Sequence, residues 1–193
     1  MSRRTGGEIY LGIVGPVRTG KSTFIKRFME LVVIPEMADD NEKVRTIDEL
    51  PQSADGKTIM TTEPKFIPKE AAVIHFSNQE TGKIRLIDCV GYLVPEAVGA
   101  IEEEKERMVK TPWSEEEIPF SKAAEIGTSK VIREHSNLGL IITTDGSFGD
   151  IPAVNFEEAL QKTVMECEKA GKPFLILVNT SRPDSQATIQ FTK

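Results

Sequence analysis

The stretch Gly15-Pro16-Val17-Arg18-Thr19-Gly20-Lys21-Ser22 constrains this chain more than any other, because it fits the spacing G-x-x-x-x-G-K-[ST] without a gap. The apolar run Ile9 to Val14 before it reads as a buried strand, and a helical pattern from Ser22 to Val33 follows it. In a strand–loop–helix setting the two glycines let the backbone curl so that successive N–H groups converge on one point. The first turn of the helix adds the positive end of its dipole there. Such a nest attracts an anion of phosphate size. On this reading Gly15 to Thr23 wrap the phosphates of a nucleotide, Lys21 reaches the β- and γ-phosphates, and the Ser22 hydroxyl ligates Mg²⁺. An ordinary glycine turn is the competing reading, and the flanking strand and helix argue against it.

The 193 residues, 39% of them hydrophobic, suffice for one α/β domain over 1–193 and are too few for two. A net charge of −6 argues against nucleic acid as a partner. Cys89 and Cys167 have no metal-ligand spacing. No run is apolar enough to span a bilayer, and no signal-type segment follows Met1-Ser2-Arg3-Arg4. A reduced, cytoplasmic protein is the reading that follows.

Along the chain, Glu8 to Val14 is the first strand. Phe24, Ile25, Phe28, Leu31 and Val32 share one face of the helix that Pro35 stops. Residues 36–58 read as an acidic, irregular loop. Gly56-Lys57-Thr58 is not a second phosphate loop, because the first glycine it requires is Pro51. Ala71 to Phe76 and Lys83 to Cys89 read as an antiparallel hairpin closed by a polar turn. Gly91 to Trp113 is a long excursion whose charged stretch, Glu102 to Arg107, reads as a solvated helix face. Ser121 to His135 is a helix with Ser121 as N-cap. Leu138 to Thr143 is a strand. Asn155 to Ala170 is a helix ended by Gly171, with Phe156, Leu160, Val164 and Cys167 on one face, and Pro173 to Val178 is the last strand. Alternating strands and helices predict an α/β fold of the P-loop NTPase, GTPase-like kind. Its sheet is mostly parallel, with helices on both faces and one antiparallel edge hairpin.

Ile84 to Gly91 supplies a second half of the site: an apolar strand ending in Asp88, with Gly91 three residues on. A strand-end carboxylate in such folds holds the Mg²⁺ shell, and the Gly91 N–H faces the γ-phosphate. Thr61 and Thr62 stand where these folds place a threonine that senses Mg²⁺ and the γ-phosphate. Thr62 is grouped with Ser22 and Asp88 at the metal, and Thr61, Thr62, Lys21 and Asp88 are the catalytic candidates. Guanine-specific folds read the base with Asn/Thr-Lys-x-Asp after a strand. Here Asn179 remains as a base contact, but Thr180 takes the Lys position and Arg182 the Asp position. Arginine only donates hydrogen bonds, so it cannot accept from guanine. ATP is therefore preferred to GTP. Tyr92 stands where many GTPases carry the glutamine that orients water, so unaided hydrolysis should be slow.

Several stretches resemble the stage IV sporulation protein A family, the ATPase under the bacterial spore coat. They are Arg4 to Gly12, Arg18 to Lys26, Asp48 to Ser53, Gly56 to Phe66, Asp88 to Tyr92, Thr111 to Trp113, Ala123 to Thr128 and Thr143 to Gly146. The resemblance covers nearly all of residues 4–183. It implies a GTPase-like fold that hydrolyses ATP and uses the energy to assemble irreversibly into a static polymer, the platform of the coat on the forespore surface, made in the mother cell. It maps the family's loop lysine to Lys21, its Mg²⁺-linked aspartate to Asp88 and its threonine pair to Thr61 and Thr62. It also implies coat morphogenetic proteins as partners. Later regions of the family, which make polymer contacts and anchor to the forespore membrane surface, are absent, so the chain reads as the nucleotide domain truncated at its C-terminus. Two other functions fit the residues: a regulatory GTPase, and a non-catalytic module that binds through an exposed Tyr92–Trp113 excursion. His75 and His135 are read as surface or core residues.

Overall fold

A computed structural model describes residues 7–51, 63–75, 81–97, 101–102 and 105–192. Its main sheet is five-stranded. The central strand, β1 (Glu8–Val14), has no free edge. It pairs in parallel with β3 (Thr81–Asp88) on one side and β8 (Leu138–Thr144) on the other. β9 (Phe174–Asn179) continues in parallel beyond β8, and β2 (Lys65–His75) closes the far side antiparallel to β3. The spatial order is β2-β3-β1-β8-β9.

Side-chain alternation along these strands explains why both faces are covered. Leu11 and Ile13 of β1, Ile84 and Leu86 of β3, and Leu140 and Ile142 of β8 form one buried face. Ile25 of helix α1 (Lys21–Phe28) packs on it, together with Met29 and Val33 of the π-helical turn that continues the helix. Val14, Ile87 and Ile141 point the other way, onto Val131 and Ile132 after helix α3 (Phe120–Lys130) and Cys167 of helix α4 (Glu157–Lys169). Strands buried on both faces are what a parallel sheet with crossover helices requires. The predicted fold class therefore holds. No described helix is long and apolar enough to cross a membrane.

Several expectations are corrected. Leu31 and Val32 do not join the buried face. They are 72% and 45% exposed, because the wide π-helical turn places Ile25, Met29 and Val33, spaced four apart, against the sheet. Part of the acidic loop at 36–58 is helix α2 (Asp40–Glu49). Asp39 caps it by accepting from the Asn41 and Glu42 N–H groups. Its only buried residue is Thr46, so it carries no apolar stripe that a periodicity reading could detect. β2 begins at Lys65 rather than Ala71, and its Pro68 sits within the register shift between Ile67 and Ala72, where the ladder needs no donor. The described residues of the charged stretch at 102–107 are not helical. Ile101–Glu102 (β4) pairs antiparallel with Lys105–Glu106 (β5). A second small hairpin joins β6 (Met108–Thr111) to β7 (Ser114–Pro119). α3 starts at Phe120 with Pro119 as its N-cap, and the Ser121 hydroxyl donates to Glu106 instead of capping. A short helix, α5 (Gln186–Phe191), follows β9 and was not foreseen. Both cysteines are free and buried.

Candidate functional site

The loop leaving β1 is held from three sides. Pro16 forms a parallel bridge with Tyr92, and the Val17 N–H donates to the Tyr92 carbonyl at 2.9 Å. Inside the loop, Thr19 Oγ1 donates to the Pro16 carbonyl at 3.0 Å. From β9, Asn179 Nδ2 donates to the Thr19 carbonyl at 3.1 Å. Arg18, at φ 62°, and Gly20, at φ 92°, turn the chain through left-handed backbone, and the Phe24 N–H to Gly20 carbonyl bond begins α1. A β carbon on Gly20 would lie 2.5 Å from Asn179 Nδ2 and would push that amide off the Thr19 carbonyl, so the φ of 92° is the stronger reason for glycine there.

Lys21 is buried with its ammonium in the mouth of this loop. Nζ donates to the Pro16 carbonyl at 2.5 Å and lies 3.4 Å from the Gly15 carbonyl. Burial lowers its pKa, and the neighbouring Cys89 and Asp88 oppose that. Asp88, at the end of β3, accepts from Ser22 Oγ at 3.0 Å through Oδ2, while its Oδ1 is buried without a hydrogen-bond partner. Burial raises the Asp88 pKa, with Lys21 and Ser22 pulling the other way. Gly91 closes the group at φ 93°. A β carbon there would meet the Gly15 carbonyl oxygen at 2.1 Å and Lys21 Nζ at 2.7 Å. Residues from three places in the chain thus converge on one spot: the loop, the end of β3 and Gly91. Thr61 and Thr62 lie outside the described residues.

A hard divalent cation takes oxygen ligands. The Ser22 hydroxyl and the Asp88 carboxylate, whose Oδ1 is orphaned, supply that donor type, so these residues fit Mg²⁺. Among the described residues no group of three or more His, Cys, Asp or Glu side chains could hold an ion unaided. The remaining ligands would be phosphate and water oxygens.

Beside the loop lies a cleft of about 350 Å³ lined by Gly20, Thr23, Phe148, Asn179, Thr180 and Ser181. The Asn179 amide is committed to the loop, and Arg182 is exposed on the chain beyond. Asp145, just past β8, organises this end. It accepts from Thr180 Oγ1 at 2.6 Å and Thr188 Oγ1 at 3.0 Å through Oδ2, and from the Ser147 N–H at 3.0 Å through Oδ1. Burial pushes the Asp145 pKa up, yet the hydrogen bonds from Ser147, Thr180 and Thr188 outweigh it and hold the carboxyl far below the ordinary carboxylate range. Neither Asp145 nor Phe148 was singled out from sequence. The available signal was an Asp directly after an apolar strand, as at Asp88, though here Gly146 follows at once rather than three residues on.

Tyr92 is buried, which corrects the expectation of an exposed Tyr92–Trp113 excursion. Its ring packs with Val17, Val94, Phe156 and Ala159, and its hydroxyl donates to Glu166 of α4. His75 is exposed, and the His135 ring meets the Phe66 ring edge-on at 5.5 Å.

Comparison with known proteins fits this geometry. The family model described as "Stage IV sporulation protein A, ATPase domain" matches residues 1–193. Stage IV sporulation protein A of Bacillus subtilis (strain 168) is 57% identical over 183 residues, 95% of this chain and 37% of the relative. The Bacillus anthracis protein of that name is 56% identical over the same shares. The Clostridioides difficile (strain 630) protein is 50% identical over 188 residues, 97% of this chain and 38% of the relative. The chain thus spans well under half the length of these curated relatives. It belongs to the stage IV sporulation protein A family and corresponds to that family's ATPase domain.

Proposed function

We propose that this chain binds ATP with Mg²⁺ at the Gly15–Thr23 loop and hydrolyses it slowly. Hydrolysis would drive self-assembly of the whole protein, with other coat proteins, into the basal layer of the spore coat at the forespore surface in the mother-cell cytoplasm. The observation that carries the nucleotide reading is the convergence of Lys21, Asp88 and Gly91 on the curl of the loop.

Ser22 and Asp88 would hold Mg²⁺, which when bound would supply positive charge against the phosphates. The chain's own residues do the rest. Lys21 exchanges the Pro16 and Gly15 carbonyls for phosphate oxygens, a trade of weak neutral acceptors for charged ones. The N–H groups of the loop and the first turn of α1 face the same anion. The Gly91 N–H approaches the γ-phosphate, and Asp88 and Ser22 hold the metal shell together with Thr62. At the other end the cleft takes the base, with the Phe148 ring available to stack on it. No described acceptor stands where guanine-specific folds place their aspartate, since Arg182 only donates. Slow turnover follows from Tyr92. Its hydroxyl is committed to Glu166, so it is not free to orient water.

Turnover of equal ATP and GTP with Mg²⁺, beside Lys21→Ala, tests this reading. ADP alone, lost in the variant, supports it. GDP as the main product would instead favour a regulatory GTPase. Nucleotide binding retained by Lys21→Ala would remove the loop from the argument.

A further inference from the structure

We propose that Tyr92 and Glu166 are positioning residues that set the γ-phosphate end of the site, so that helices α3 and α4 govern how well the protein tells ATP from ADP. The proposal rests on the ATPase reading above. Gly91 is fixed by its neighbour. The Tyr92 carbonyl accepts from the Val17 N–H at 2.9 Å, and its ring fills the cluster under the loop. A buried tyrosine needs only one acceptor for its hydroxyl. Here that acceptor is a carboxylate whose other oxygen is held by α3 and the turn after it, through Ser129 Oγ at 2.8 Å and Arg133 Nη2 at 2.9 Å. Lys162 Nζ lies 4.8 Å above the same ring. Burial raises the Glu166 pKa, but Tyr92, Ser129 and Arg133 outweigh it, which keeps the acceptor charged.

Two groups then stand in series: α3 and α4 hold Glu166, Glu166 holds Tyr92, and Tyr92 holds Gly91 against Lys21. On the ATPase reading Gly91 faces the γ-phosphate, so loosening this chain should weaken the hold on a triphosphate and leave a diphosphate alone. The arrangement also explains a polar network that runs from the buried Tyr92 ring through the half-buried Glu166 to the exposed Arg133.

The experiment is equilibrium binding of the β,γ-imido analogue of ATP and of ADP, each with Mg²⁺, to full-length protein. The variants are Tyr92→Phe, Glu166→Ala, Glu166→Gln and the double variant Tyr92→Phe/Glu166→Ala. Losing a hydrogen bond to a charged group should weaken analogue binding about tenfold in Tyr92→Phe and in Glu166→Ala, with ADP binding changed less than about twofold. The double variant should be no weaker than either single one, since both cut the same link. Glu166→Gln, which keeps an acceptor for the hydroxyl, should recover most of the loss. Equal losses for analogue and ADP, or no loss for either, would overturn the proposal. Multiplying losses in the double variant would do the same. Should Glu166→Ala fail to fold, Tyr92→Phe, which removes one oxygen atom, decides the matter alone. Wild-type protein that binds neither nucleotide would overturn the ATPase reading itself and this proposal with it. Wild-type discrimination with indifferent variants would overturn only the latter.

Discussion

The two ends of the cleft are built by opposite means. At the phosphate end the shape is set by backbone lying on backbone, pinned by the Thr19 and Asn179 side chains, and Gly15 and Gly91 are glycine because nothing larger fits. Gly91 lies against the Gly15 carbonyl, and the loop is bridged to Tyr92, whose ring packs under it. At the base end the contacts are side chain to side chain. Thr180, Thr188 and Ser147 gather on Asp145, and the supporting strand β9 is an exposed edge, with Leu175 at 63% and Ile176 at 45%. A site made of backbone tolerates almost no change in shape but recognises only what every nucleotide shares. A site made of side chains can change its base without unfolding. That division matches this chain, which carries an unbroken phosphate-loop spacing at Gly15 to Ser22 and has Arg182 where guanine-specific folds have aspartate.

The sharpest way to break the comparison is Gly91→Ala. The added methyl would overlap the Gly15 carbonyl oxygen, which is backbone in a bridged loop and has nowhere to go, and the φ of 93° is strained for alanine. Thermal unfolding should show a loss of about 3 kcal/mol or more, and nucleotide binding should vanish. Gly20→Ala meets only the Asn179 amide, a side chain that can swing away, so it should cost less. If the two variants lose equal stability, the phosphate end is not the rigid one.

That contrast also explains what could be read from the sequence. Gly15, Gly20, Lys21, Ser22, Asp88 and Gly91 were legible because their chemistry is local. A strand must end, a loop must curl and a helix must begin within a few residues, and each requirement restricts residue type. The order of alternating strands was legible for the same reason, because β1, β3 and β8 are buried on both faces and read as apolar runs. Asp145 was missed because Thr180 and Thr188 lie tens of residues away, and Phe148 because the cleft it lines is completed by residues 179–181. Asp145 acquires its role only when β8 and β9 are paired and α5 brings Thr188 over it. Tyr92 was misplaced for a related reason: the helix that buries it, α4, arrives much later in the chain. The hairpins at 101–119 failed on composition. Strongly charged short strands carry no apolar alternation to reveal them.

A milder test addresses the base end directly. Phe148→Ala removes the aromatic face from the cleft and leaves the loop untouched. Base–aromatic stacking contributes about 1–3 kcal/mol, so the KM for ATP should rise roughly tenfold while kcat holds. An equal fall in kcat would mean that the two ends are coupled more tightly than their construction suggests.

The smallest effect is expected at Asp145→Asn, and it is the most specific. The folded pKa of Asp145 lies below that of a free carboxyl, so its charge favours the folded state wherever the unfolded chain also carries it, above pH about 3.9. As pH falls from there toward the depressed folded value, the unfolded chain takes up a proton that the folded one resists, and the stabilisation is lost. Asparagine keeps one acceptor oxygen and no charge. Part of the network faces solvent, so the variant should lose only about 1–2 kcal/mol at pH 7, measured as a fall in Tm. The gap between variant and wild type should shrink steadily from pH 4 to pH 2, as expected for about one titrating group. A gap that is the same at both ends of that range would show that Thr180 and Thr188 gather on Asp145 for its shape rather than its charge. The base end would then owe its form to packing, as the phosphate end does.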